Sequence, residues 1–237
     1  MYSRELVRSL QHALPEILFR LRAGPIAVWH WIADRLQDRA RDRQFGISSV
    51  RVPGLDQPGY TPPDSVHYQP VSYSDLEESL RALTITHDDV LLDFGAGMGR
   101  VVCVAATRAL RGVIGIEISP KLCVLARRNI EQVQQKLLCD DIRIVHCDAV
   151  QYTIPKSVTI FYLFNPFGGA ALGAVLEKIA ESLRRYPRRI QIVFTGTVSC
   201  GRFREEAANH GWLSLSSEKR LRTGALALIY TNTAWTF

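Results

Sequence analysis

The stretch that most constrains this chain is Val90-Leu91-Leu92-Asp93-Phe94-Gly95-Ala96-Gly97-Met98-Gly99-Arg100, followed by Glu117 at the end of a second apolar run, 24 residues after Asp93. A short buried strand runs into an acid, then into glycines at alternate positions, then into a helix. Gly95, Gly97 and Gly99 let the backbone turn sharply and approach a ligand with no Cβ in the way. A carboxylate at the tip of the following strand, Glu117, is placed to take both hydroxyls of a ribose. The pattern specifies an α/β sheet with a nucleoside-bearing cofactor at its carboxyl edge.

The dinucleotide fingerprint G-x-G-x-x-G is broken, because Arg100 stands at its sixth position, and no Lys-Ser/Thr pair follows the glycines to make a phosphate-cradling loop. The order D-x-G-x-G-x-G followed by an acid resembles motif I and the second strand of class I S-adenosylmethionine-dependent methyltransferases. Three further segments match that family in order. Ile144-Val145-His146-Cys147-Asp148-Ala149 is a strand ending in Asp-Ala. Thr159-Ile160-Phe161-Tyr162-Leu163-Phe164-Asn165-Pro166-Phe167 is an apolar strand ending in Asn-Pro-Phe, similar to motif IV. Val66-His67-Tyr68-Gln69-Pro70 resembles the Tyr-x-Pro segment that leads into the catalytic domain of several protein-lysine methyltransferases outside the SET class. The resemblance spans roughly residues 60–232.

The rest of the chain agrees with an α/β enzyme. Its 237 residues suffice for one large domain plus an extension. Helical spacing runs through residues 1–45 (Leu6, Leu10, Leu14, then Ile17, Leu18, Leu21, then Val28, Trp31, Ile32), cut by Pro15 and by Gly24-Pro25. Prolines from Pro53 to Pro70, with Gly54 and Gly59, mark a connecting loop. We therefore divide the chain into an N-terminal helical extension with its loop, residues 1–70, and a cofactor-binding domain, residues 71–237. Ser74, with Glu77 at the capping-box offset, predicts a helix through about 83. Strands are expected at about 89–94, 112–117, 141–146, 157–164 and 189–195, with helices at about 98–110, 119–136, 170–185 and 200–210. The first four strands read as near-continuous apolar runs, the pattern of strands covered on both faces. Two further runs, Trp212–Ser217 and Ala225–Thr231, have no helix between them and read as an antiparallel pair. The expectation is a doubly wound, mostly parallel seven-stranded sheet closed by an antiparallel hairpin, with its ligand where the strand order reverses.

Composition restricts the setting. No apolar run reaches the roughly 18 residues of a membrane span, and the start does not read as a secretory signal. Five dispersed cysteines without a C-x-x-C pair fit reduced thiols of a cytoplasmic protein and give no metal site. The net charge of +6 comes from spread arginines with no long basic tract interleaved with aromatics, so charge alone does not name a partner. Anionic lipid could still meet the Arg-rich N-terminal helices with Trp29 and Trp31 as a peripheral contact.

The family resemblance implies S-adenosyl-L-methionine as cofactor, held by Tyr68, Asp93, Gly95, Ala96, Gly97, Gly99, Glu117, Ile118, Asp148, Ala149 and Asn165. It sets Asp93 near the methionine ammonium and Asp148 near the adenine amino group, with Asn165, Pro166 and Phe167 as the catalytic strand end. Amino-methylating relatives carry Asn-Pro-Pro-Tyr/Phe there, and this chain has one proline fewer, with Gly168 following Phe167. That departure weakens the case for a flipped base and leaves an amine oriented by Asn165. Tyr60, Tyr68, Tyr162, Phe164 and Phe167 are candidate aromatic walls, and His67 is a candidate approaching base. Arg100 is expected to meet substrate, an acidic neighbour or a helix-surface partner. The acceptor implied is a protein side-chain amine, lysine first. The alternatives are a small-molecule N- or O-methyltransferase with the N-terminal helices as a lid, a nucleic-acid amine, and a non-catalytic cofactor-binding or membrane-surface scaffold.

Overall fold

A computed structural model describes residues 25–50, 69–167, 169–197 and 199–233. Helix α1 (Pro25–Phe45) precedes the sheet domain, and α2 (Tyr73–Arg81) leads into it. The alternating part is β1 (Val90–Phe94), α3 (Arg100–Ala105), β2 (Gly112–Glu117), α4 (Pro120–Val133), β3 (Asp141–His146), β4 (Val158–Phe164), α5 (Gly169–Arg185), β5 (Gln191–Gly196) and α6 (Ser199–Ala208). The pair β6 (Leu213–Arg220) and β7 (Leu226–Asn232) ends it.

Seven strands form one sheet in the order β3-β2-β1-β4-β5-β7-β6. The first five are parallel, and β7 is antiparallel to both of its neighbours. Strand order reverses between β1 and β4, so their carboxyl ends, Phe94 and Phe164, flank the crevice.

The alternation of side chains across each strand builds two cores. Leu91, Val113, Ile160, Tyr162 and Val193 face Leu76, Leu80, Val102, Ala126 and Val133 of α2, α3 and α4. Leu92, Phe94, Ile114, Phe161 and Phe194 face Leu172, Leu176, Ile179 and Phe203 of α5 and α6. Each such side chain, fully buried, contributes about 1.5–3 kcal/mol relative to exposure. Asp93 shares the face of Leu91, so it is a carboxylate in an apolar layer.

Three local expectations are corrected. The cap of α2 is Ser72, whose Oγ accepts from the Asp75 N–H at 3.1 Å, not Ser74. The Tyr73 N–H is taken at 3.0 Å by Asp38 of α1, so a tertiary contact sets where this helix begins. Helix α3 is only six residues long, because the chain tightens after Ala105 into i→i−3 bonds from Thr107 and Arg108. Strand β3 is not covered on both faces: it is an edge strand, with Asp141, Arg143 and His146 exposed. The apolar-run argument holds for β1, β2 and β4. The other edge strand, β6, is exposed along most of its length and carries a register shift between Leu215 and Ser217. Among the described residues no helix is long and apolar enough to cross a membrane. Cys103, Cys123, Cys139, Cys147 and Cys200 are free thiols.

Candidate active site

The glycine loop starts where β1 ends. The N–H groups of Gly95 and Ala96 both donate to the Ile116 carbonyl at 2.9 Å, tying the loop to β2. Gly95 has φ 78°, and a Cβ there would stand 2.8 Å from the Cβ of Pro166. Glycine therefore serves twice at this position, in the left-handed backbone and in the close approach of the β4 strand end. Ala96 is seated in turn over Gly115, where any Cβ would fall 2.7 Å from the Ala96 methyl.

Glu117 ends β2 and is 7% exposed. Its Oε2 accepts from the Gly97 N–H and its Oε1 from the Ser119 N–H, both at 2.8 Å. Burial raises its pKa, and these backbone donors, with that of Ile118 and the nearby His146, oppose the rise. A carboxylate has about four acceptor sites, so some acceptor capacity remains beyond these backbone donors. The Ile118 carbonyl lies 3.0 Å from His146 Nε2. Asp148 follows β3, half-buried, and its carboxylate accepts from the Val150 N–H at 3.1 Å, which caps the short turn beginning at Ala149.

Asp93 is the anomaly of the site. It is 2% exposed, and among the described residues its Oδ2 has no hydrogen-bond partner. Burial raises its pKa well above the carboxylate range, and the charge of Glu117 adds to the rise. A buried acid with an orphaned oxygen beside a second acid lacks a cationic, hydrogen-bonding partner.

Asn165 leaves β4 at φ 42°, a left-handed conformation that non-glycine residues seldom adopt. Pro166 lies against Gly95, and the Phe167 ring meets Phe94 edge-on at 6.3 Å. The glycine loop and the Asn-Pro-Phe strand end are thus neighbours across the switch point. Tyr162, a candidate wall, is instead wholly buried, with its hydroxyl 3.1 Å from Ser79 Oγ and 3.4 Å from Thr195 Oγ1. Phe164 and Phe167 are half-buried. Tyr60, His67, Tyr68 and Gly168 lie outside the described residues.

Arg100 does meet acidic neighbours, but in the interior: its side chain is 2% exposed and reaches Asp38 and Asp42 of α1. Sequence reasoning missed those two acids, along with Ser49, Asn129 and Gly115. The one available signal was the pair of acids four residues apart at the end of an Arg-rich helix.

These features suit S-adenosylmethionine. The unpartnered Asp93 oxygen can accept from an ammonium, and the Glu117 carboxylate retains acceptor capacity for a hydroxyl. Two buried carboxylates also match a ligand with a sulfonium and an ammonium.

Comparison with known proteins agrees. The sequence profile of the histone methylation protein DOT1 matches residues 51–149, a segment that holds the glycine loop, Glu117 and Asp148. The chain is an S-adenosylmethionine-dependent methyltransferase with the fold of the class I enzymes. The fold of this methyltransferase is also seen in an RNA methyltransferase from Salinibacter ruber, crystallised with S-adenosyl-L-homocysteine. That structure has TM-score 0.53 and 22% identity, covering 71% of this chain and 96% of the other. A precorrin-8w decarboxylase from Methanobacterium thermoautotrophicum has TM-score 0.53 at 21% identity over 70% and 93% of the two chains. A tRNA methyltransferase from B. subtilis has TM-score 0.53 at 17% identity over 68% and 65%. At such identities these structures bear on the fold of the methyltransferase alone. A sequence search of curated proteins returns no match.

Proposed function

We propose that this methyltransferase acts on nitrogen, and that its acceptor is the side-chain amine of a protein lysine. The observation that carries the reading is the strand end Asn165-Pro166-Phe167, held against the glycine loop with Asn165 in a left-handed conformation. The match of residues 51–149 to a histone-methylating family supports a protein acceptor.

When bound, S-adenosylmethionine supplies a methyl group already activated by its sulfonium. The chain's own residues then have positional tasks. Asp93 takes the cofactor's ammonium, and Glu117 takes the ribose hydroxyls while it braces Gly97. Asp148 and Ala149 would border the adenine. The Asn165 carboxamide oxygen would accept an N–H of the acceptor and so fix the direction of its lone pair. The amine must be neutral to react, and removing the proton of an ordinary lysine at pH 7 costs about 4–5 kcal/mol. Desolvation beside Phe167 and the proximity of a sulfonium both push an ammonium toward its neutral form.

The test is to incubate a cell lysate with the enzyme and cofactor labelled in the methyl group, then hydrolyse the labelled fraction. Label in methylated lysine supports the reading. Label in nucleotides or in small molecules overturns the acceptor and leaves the methyltransferase.

A further inference from the structure

We propose that the stretch Asp38–Ser49 is a clamp that sets the shape of the glycine loop, making Asp38, Asp42, Asn129 and Arg100 positioning residues for cofactor binding. The proposal rests on the reading of that loop as the cofactor cradle.

The residues on either side of Gly99 are both tied to this one stretch. On the near side, the Met98 carbonyl accepts from Asn129 Nδ2 at 2.8 Å. The same amide nitrogen donates to the Ser48 carbonyl at 3.0 Å, and its Oδ1 accepts from the Ser48 N–H at 3.0 Å. Asn129 is 3% exposed, so one buried carboxamide bridges the loop to residue 48. On the far side, every nitrogen of the Arg100 guanidinium is engaged. Nε donates to Ser49 Oγ at 2.7 Å, and Nη1 donates to Asp38 Oδ2 at 2.7 Å and to the Val71 carbonyl at 2.6 Å. Nη2 approaches Asp42 Oδ1 at 3.4 Å. The guanidinium also stacks 4.4 Å over the Tyr73 ring.

Asp42 is the keystone of the stretch. It accepts from the backbone N–H groups of Ser49 and Val50, from Ser49 Oγ and from the Tyr73 hydroxyl. It therefore folds the chain after Gly46 back over the start of α3. Burial and the Asp42 carboxylate raise the Tyr73 pKa, keeping the phenol a donor. If bulk stability alone were needed, apolar side chains of similar volume would serve as well as a buried ion pair. Directed polar bonds instead fix orientation, and they converge on a loop whose glycines have little conformational preference of their own. Without the clamp, the Gly97 N–H and the Gly95–Gly99 backbone lose the frame that holds them in ligand-ready form.

The experiment uses the full chain with three single variants: Asn129→Ala, Arg100→Met and Arg100→Lys. It measures S-adenosylhomocysteine affinity by calorimetry, and amide hydrogen exchange of the peptide spanning residues 94–104 in the unliganded protein. Exchange of the β4 and β5 peptides is the internal reference. Asn129→Ala and Arg100→Met should each weaken binding at least tenfold and speed exchange of the loop peptide at least tenfold, leaving β4 and β5 at parent rates. Arg100→Lys should recover part of both losses. A folded Asn129→Ala protein with parent affinity within twofold and parent loop exchange would overturn the clamp. So would exchange that rises equally across the sheet, the mark of a merely structural role. If Arg100→Met does not fold, Asn129→Ala decides alone. If the parent itself fails to bind S-adenosylhomocysteine, the cofactor reading falls, and loop exchange still decides the clamp.

Discussion

Replacing Asp93 by Asn should move stability and affinity in opposite directions. The Asp93 side chain is 2% exposed, has an oxygen without a partner among the described residues and sits within the field of Glu117. An unsatisfied buried polar group costs about 1–3 kcal/mol, and more when charged. Neutralising it should stabilise the unliganded protein by about 1–2 kcal/mol, or about 2–8 °C in Tm for a chain of this size. The same change removes a charge-assisted bond to the cofactor ammonium worth about 1.5–3 kcal/mol, so affinity should fall about 10- to 150-fold. Because the folded-state pKa of Asp93 lies above its unfolded value, the folded protein binds the extra proton between those two values. Parent stability should therefore be greatest below the ordinary carboxylate pKa, insofar as this group decides it, and decline as pH rises toward the folded value. The Asn variant should lack that decline. Binding of a cation beside Asp93 should also release a proton, visible in calorimetry as a dependence of the heat on buffer ionisation enthalpy. Thermal melts from pH 4 to 8 and calorimetry on both proteins make the test. An Asn variant that melts lower than the parent, or binds S-adenosylhomocysteine equally well, would refute the assignment of Asp93.

Glu117→Ala should lower cofactor affinity at least tenfold in a folded protein, since it deletes a ribose acceptor whose charge-assisted bonds are worth about 1.5–3 kcal/mol each; calorimetry reads it. Gly95→Ala brings a methyl to 2.8 Å from Pro166 at φ 78°, so affinity and turnover should fall together, with a Tm loss corresponding to about 1–3 kcal/mol. Asn165→Ala should reduce turnover at least about 30-fold, equivalent to about 2 kcal/mol, with cofactor affinity changed less than about threefold. Equal losses in turnover and affinity would instead assign Asn165 to the cofactor pocket.

The strand pattern was readable because it depends on local alternation, whereas the placing of Asn165 by the glycine loop was implied only by the family resemblance. Strands at 90–94, 112–117 and 158–164 fall within a residue or so of where their apolar runs end. What local pattern could not supply was tertiary in origin. Ser74 satisfies the cap template as well as Ser72 does, and Asp38, 35 residues before Tyr73, decides between them. Tyr162 alternates like a wall residue, yet its hydroxyl finds Ser79 and Thr195 inside the core. Arg100 reads as a surface cation because arginine is rarely buried alone. Its two carboxylates come from a helix some sixty residues earlier, and no spacing rule connects them.

The two borders of the sheet carry a consequence for assembly. On one side, β3 presents Asp141 and Arg143, paired to each other at 2.7 Å, along its open rim. On the other, β6 carries the irregularity after Leu215 and then Glu218, Lys219 and Arg220. A neighbouring strand laid on either rim would have to strip water from these ions or follow a broken ladder. Among the described residues the sheet thus ends on both sides in rims that disfavour a further strand, so helices and loops are the better surfaces for meeting a companion molecule.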